Sequence, residues 1–386
     1  MKKTLVAVAA MAAVTGAMAQ ATIYGTIEQT YNKSTTTLNG ITLSTKTGIG
    51  EYQTGGSLIG FKGSEDMDNG IKASYLYEMG FNVQTTASTY TNRQAFVGLS
   101  GGFGAVRIGK QYSAGFLNAV AADPGGATGA TGALYLAPMT GYNGSEAPLR
   151  QDQAIQWDLP SFVPGLGITI TKVWGGKNTA ASGLDSSVAS GTDGVKSGDG
   201  AGWAIKYNSG PLYVGFTSDS VTNTGIYFGT NDDAIAQSGT TAALTATASN
   251  LTAGSATEKN KLSTATITYD LGMAKVGYNQ TKMAVGAEFL KTSMTSVSVP
   301  LGAVTAFYSA SSGDINSTSG ETNYTDGTTG GALGVASLKG TQYGANYALS
   351  KRTVAYIHAG RLTADLTTAG AIKKVNNYGI GIHHSF

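Results

Sequence analysis

The sequence predicts an all-β chain, a sixteen-stranded antiparallel transmembrane β-barrel with short turns on one rim and long loops on the other. Three observations carry that expectation. Hydrophobic residues recur with period two almost everywhere, the rhythm of a strand with two different faces. The connections between alternating runs are short and long in turn, as in bacterial outer-membrane barrels. Although 41% of the residues are hydrophobic and only 12% charged, no run beyond the first twenty residues reaches the roughly 18 apolar residues a spanning helix needs. In hydrocarbon every backbone N–H and C=O needs an internal partner, so strands that cross must close on themselves.

The chain opens on Met1-Lys-Lys3, an apolar core from Leu5 to Val14, and the small-x-small pattern Ala17-Met-Ala19. These are the parts of a secretory leader, expected to cover 1–19 and to leave Gln20 or Ala21 first in a 20–386 barrel. Removing Lys2 and Lys3 takes the 25 basic residues to 23, equal to the 23 acidic ones. A net charge of zero gives no electrostatic footprint for nucleic acid. The absence of cysteine excludes a disulfide scaffold, so closure must come from backbone pairing.

Alternation runs through residues 22–31, 72–81, 202–207, 264–269 and 354–359. Tight turns fall at 66–70, 101–104, 161–165, 209–211, 270–272, 300–302 and 350–352. Long loops are expected at about 33–55, 83–91, 113–150, 176–200, 219–261, 282–287, 310–338 and 363–375. Seven turns and eight loops make sixteen strands. About eight strands enclose only side chains, whereas sixteen to eighteen enclose water. The last strand places Tyr378, Ile380, Ile382, His384 and Phe386 on one face, as expected if it pairs with residues 22–31.

The organising stretch is 113–149, a run of Gly, Ala, Pro, Thr and Ser too long for an ordinary connection in a compact domain. It is expected to fold into the barrel mouth and narrow an aqueous channel, with Arg93, Lys110 and Arg150 facing it.

Several blocks carry a family resemblance. They are Ala21-Thr-Ile-Tyr-Gly-Thr-Ile-Glu28, Leu58-Ile-Gly-Phe-Lys-Gly-Ser-Glu-Asp66, Asn92-Arg-Gln-Ala-Phe-Val-Gly-Leu-Ser100 with Gly109-Lys-Gln111, Val297-Ser-Val-Pro-Leu-Gly302, Tyr347-Ala-Leu-Ser-Lys-Arg-Thr353 and the terminal Phe386. Through them the chain resembles the trimeric general porins of β-proteobacteria. The resemblance implies a homotrimer in the outer membrane, in contact with its lipid, with the third loop turned inward as a constriction. It also implies that the strand ending in Phe386 is read by the outer-membrane assembly machinery. Arg93 matches the family's wall arginine, Lys110 its basic place in the Gly-Lys-Gln block, and Arg150 the arginine opening the strand after the third loop. One departure stands out: where the family usually has Ser-Arg, this chain has Ser57-Leu58. A charge missing there weakens any strong anion preference.

Charges set across a narrow opening with low-dielectric walls make a field that sorts ions. Asp123 and Glu146 are the only acids within 113–149; each either opposes the wall cations or ties the loop down. Arg107 has the parity opposite to Val106 and Ile108, so it faces the lumen if those two face lipid. Tyr24, Tyr77, Trp157, Trp174, Trp203, Tyr213, Tyr278 and Phe386 are expected in interfacial aromatic girdles. Residues 66–70 lack the twelfth-position Glu of a calcium loop, and His383 and His384 point to opposite faces of a strand, so no metal site is expected. No cofactor is expected, and no nucleophile-and-base constellation supports catalysis. The expected function is passive diffusion of ions and small hydrophilic solutes, weakly anion-selective. The alternative is a surface barrel, an adhesin or receptor acting through its long loops.

Overall fold

The computed structural model describes residues 21–51, 56–81, 83, 90–126, 149–174, 199–222, 246–247, 259–285, 287–315, 323–325, 332–333, 335–366 and 371–386. The expected leader at 1–19 and Glu146 lie outside them. A single sheet of seventeen strand segments closes on itself. Two segments, Ile41–Gly50 and Leu58–Asp66, both pair with the first strand and belong to one crossing, so the barrel has sixteen.

The crossings are β1 (Thr22–Leu38), β2 (the two segments just named), β3 (Lys72–Phe81), β4 (Tyr90–Gly101), β5 (Gly104–Tyr112), β6 (Arg150–Asp158), β7 (Leu166–Val173) and β8 (Gly200–Ser209). They continue as β9 (Leu212–Thr222), β10 (Lys259–Asp270), β11 (Lys275–Val285), β12 (Ala287–Leu301), β13 (Val304–Ile315), β14 (Val335–Ala348), β15 (Thr353–Leu366) and β16 (Ile372–Ser385). Every neighbour is antiparallel, and β16 pairs with β1 from Thr26↔Ser385 to Leu38↔Lys373. Gly25 and Phe386 exchange backbone hydrogen bonds in both directions, locking the seam at the short-turn rim. Closure of this kind leaves no strand edge in hydrocarbon.

The period-two pattern sorts the faces. On β1, Ile23, Ile27 and Tyr31 are exposed while Glu28, Thr30 and Asn32 are buried. On β15, Ile357 is exposed between buried Tyr356 and His358, and on β16 Tyr378, Ile380 and Ile382 share the exposed face. Apolar residues therefore point outward and polar ones inward, the arrangement of a barrel whose solvent is lipid outside and water within. Phe216 stands on the outer face of β9 between buried Gly215 and Thr217. Phe216→Arg is accordingly expected to lower stability in bilayers by about 2–4 kcal/mol, read from urea titration, if that position lies near the midplane. A loss under ~1 kcal/mol would place it at the interface instead.

The structure differs from the expected loops at 33–55. Strand pairing continues through Leu38, and the chain returns from Ile41 after a turn at Asn39 (φ 48°) and Gly40 (φ 85°). Two successive positive φ values are what a two-residue hairpin turn requires, and Asn-Gly supplies them at little cost. The connections at 282–287 and 363–375 are likewise mostly strand, β11 reaching Val285 and β15 reaching Leu366. The three short segments Ala246–Thr247, Asn323–Thr325 and Ala332–Leu333 form a separate small sheet. Two aromatic residues expected in the girdles turn inward instead. The Tyr24 hydroxyl donates to Glu78 and the Tyr213 hydroxyl to Asn118, so each phenol has a partner inside the barrel.

The candidate constriction

After β5 the chain enters the barrel as a helix, α1 (Ala114–Val120). The Ser113 hydroxyl accepts from the Phe116 backbone N–H at 3.0 Å, a capping bond that starts the helix directly at the strand end. Gly115, Phe116, Asn118 and Ala119 are buried against the inner wall. Asn118 is held at both ends of its amide: its nitrogen donates to Thr264 Oγ1 at 2.7 Å, and its oxygen accepts from the Tyr213 hydroxyl at 2.9 Å. Further on, Ser296 donates to the Ala122 carbonyl, and Gln342 donates to Asp123 Oδ1 at 2.8 Å. Residues 113–126 are thus pinned successively to β9, β10, β12 and β14. The beginning of the third loop lies inside the barrel.

On the wall beside it, cations and phenols form a connected row. Arg93 occupies a β-bulge: Glu78 faces Gln94 and Met79 faces Asn92, which leaves Arg93 as the extra residue. Bulges re-aim a side chain relative to simple alternation. Here the re-aimed guanidinium lies 2.7 Å from Glu78 Oε1 through Nε and donates to the Tyr112 hydroxyl at 2.7 Å. Glu78 also accepts from the Tyr24 hydroxyl at 3.0 Å, and Lys62 sits 5.0 Å above the Tyr24 ring. Arg150 donates to the same Tyr112 oxygen at 3.0 Å while stacking 4.7 Å over its ring. The other face of this hub is taken by Phe116 of α1, whose ring centroid is 5.0 Å from that of Tyr112.

The predicted site residues therefore separate into distinct environments. Arg93 and Arg150 meet on one phenol. Arg93 is only 5% exposed and neutralised by Glu78, so its field reaches solutes through the wall. Arg150 has no carboxylate within 4.0 Å among the described residues. Arg107 pairs with Asp158 at 2.7 Å and lies 5.9 Å over the Phe96 ring. Lys110 forms an ion pair of its own with Asp152 at 2.9 Å, in a second bulge where β5 and β6 lose register. Gly109 there has φ 133°, and a side chain would strike the Ala95 carbonyl at 2.2 Å. Asp123 is buried, accepting from Gly125 N and from Gln342, and it fastens the loop to β14. Leu58 is buried on the face it shares with Gly60 and Lys62, so that stretch of inner wall carries no guanidinium.

Glu78, Tyr24 and Tyr112 are the members that sequence reasoning missed. Glu78 was visible as the one acid in the alternating run 72–81, with parity opposite to the exposed Tyr77. Tyr112 offered no such signal, because its role depends on two guanidiniums delivered by other strands.

A family model described as Gram-negative porin matches residues 7–367. The major outer membrane protein P.IB of Neisseria meningitidis serogroup A is 42% identical over 127 residues, covering 32% of this chain and 36% of that protein. The match thus spans about a third of the length of that curated relative. Among solved structures, the anion-selective porin from Comamonas acidovorans aligns with TM-score 0.69 at 19% identity, over 95% of this chain and all of that one. The Salmonella typhi OmpF complex with daunomycin gives TM-score 0.63 at 14% identity, over 95% of this chain and 98% of that one. At such identities the likeness establishes the closed barrel. With a family match that runs over most of its length, the chain belongs to the Gram-negative porin family, β-barrels of the cell outer membrane.

Proposed function

We propose that the chain forms a water-filled channel across the outer membrane for passive diffusion of ions and small hydrophilic solutes, with a weak preference for anions. The observation that carries this reading is the pinned segment 113–126 inside a barrel of sixteen crossings. A barrel of that size without an internal loop would be an open tube; with one it is a sieve. Arg150 and Lys62 support the sign of the preference. Arg93, Arg107 and Lys110 each have a carboxylate within 2.9 Å, whereas these two rest on aromatic rings. The anion selectivity in the name of the Comamonas relative agrees with this, and Leu58 keeps the expected bias modest. Arg93, Arg107, Lys110, Asp123, Glu146 and Arg150 remain the residues assigned to the constriction, with Asp123 as loop fastener. Cleavage of a leader after Ala19, assembly as a homotrimer, and recognition of the strand ending in Phe386 by the assembly machinery complete the proposal.

Swelling of proteoliposomes in sugars of increasing size tests the sieve. Uptake of monosaccharides with a sharp fall for larger oligosaccharides is expected. Exclusion of even the smallest sugars by a folded barrel would contradict a diffusion pore and favour a surface-binding barrel.

A further inference from the structure

Three cations stand around one residue on the outer face of the barrel, toward the long-loop rim. Thr363 of β15 is the cross-strand partner of Lys339 on β14 and of Lys374 on β16. Arg361 lies two residues nearer the short-turn rim on β15, opposite Thr341 and Asn376. Strand parity turns all of them outward: Leu338, Leu362 and Val375 are buried, whereas Lys339, Arg361 and Lys374 are exposed. With neighbouring strands about 4.8 Å apart, the two lysine backbones flank Thr363 at about 10 Å from each other. Each is also a diagonal neighbour of Arg361, at about 7–8 Å. Arg361 is aimed by Asn376, whose Oδ1 accepts from Nε at 2.8 Å, which leaves the terminal guanidinium nitrogens available.

Nothing on these strands balances the charge. Asp365 is the only acid on β14, β15 and β16, and it accepts from the Ser337 hydroxyl at 2.6 Å. None of the three cations lies within 4.0 Å of a described carboxylate. Like charges set this close on one face weaken a sheet unless an anion sits among them. The surface beneath fixes the class of anion. Four residues toward the short-turn rim from each cation, about 13 Å along the strand, stand Tyr343, Ile357 and Tyr378, all exposed. These are lipid-facing positions. A ligand that used both levels would carry its negative charge above and its acyl chains below, whereas a free anion would use only the upper one.

We propose that Lys339, Arg361 and Lys374 bind the phosphate headgroup of an anionic lipid of the outer leaflet, with its acyl chains along Tyr343, Ile357 and Tyr378. Arginine grips phosphate through two nitrogens and lysine adds a point charge, so three converging cations suit one headgroup. Lys282 and Lys291, direct partners on β11 and β12, also face outward, but two cations set opposite each other enclose no position.

The test uses the refolded barrel in detergent at about 0.15 M NaCl, where screening confines electrostatic effects to about 8 Å. Diphosphoryl lipid A is the probe, and retained lipid is counted by native mass spectrometry. The native chain is expected to retain it. The triple variant Lys339→Gln, Arg361→Gln, Lys374→Gln should bind about a hundredfold more weakly, about fivefold for each basic residue removed. Lys282→Gln with Lys291→Gln should change the affinity by less than about threefold, because both lie beyond the screening length of the triangle. No retention by the native chain, or equal affinity in the triple variant, overturns the proposal. So does a fall in the double variant as large as in the triple, which would mean diffuse surface charge. Equal retention of lipid A stripped of its phosphates overturns it too, because acyl contact alone would then suffice. Displacement of lipid A by millimolar inorganic phosphate would leave an anion site and overturn the lipid. Should the triple variant fail to refold, Lys374→Gln alone should weaken binding about fivefold; unchanged affinity would contradict the site.

Discussion

Glu78→Gln is expected to lower the stability of the barrel by about 3–5 kcal/mol, one of the largest losses available to a single inner-wall substitution. The carboxylate compensates Arg93 at 2.7 Å, and the two side chains are 6% and 9% exposed for Arg93 and Glu78 respectively. Removing one partner of such a pair strands the other charge in the wall, and the cost is the desolvation of that charge rather than the net worth of the pair. Tyr24 also loses a charged acceptor. Urea unfolding of the refolded chain measures the effect. The double replacement Glu78→Gln with Arg93→Met should recover most of the loss, because no charge is then stranded. A loss below ~1 kcal/mol for Glu78→Gln alone would mean that water reaches Arg93 and that the pair behaves as a surface one.

The second large effect concerns selectivity. At an effective dielectric constant of about 20, a unit charge acting on an ion about 8 Å away contributes about 2 kcal/mol, which salt near 0.1 M reduces over its roughly 10 Å screening length. Arg150→Glu reverses a charge at the Tyr112 hub, so the anion-to-cation permeability ratio should drop by about fivefold or more. Reversal potentials in a salt gradient read this directly, and raising the salt concentration should shrink the difference. Arg107→Gln, which removes a cation already paired with Asp158, should shift the ratio in the same direction by less. A larger shift from Arg107 than from Arg150 would move the narrowest point toward the short-turn rim.

The barrel itself was legible in the sequence because period-two alternation and alternating connection lengths are local signals. The seven tight turns lie where they were expected, six of them marked by Gly, Pro or Asp and the seventh being Ser350-Lys-Arg352. Residues 33–55 were misread for a physical reason. Above the hydrocarbon the outward face no longer needs apolar residues, so the Thr-rich stretch of β1 loses its alternation while its backbone keeps pairing. Asn39-Gly40 was the available hairpin signal. Strand parity could set Arg107 on the face opposite to Val106 and Ile108, but not its distance from the narrowest point. It could not explain Arg93, which reaches Glu78 through a bulge whose existence depends on the partner strand. The helix inside the third loop was hidden by the Gly- and Ala-rich composition around it, and Ser113 as its cap was the only local mark.

Single-channel conductance of the refolded mature chain in a planar lipid bilayer tests the central claim most directly. Stable steps in the nanosiemens range that close in threes are the result this account requires, each step being one constricted pore of a trimer. Silence from a chain shown to be folded and inserted would contradict it: the lumen would then be plugged, and the function would have to reside in the outer loops.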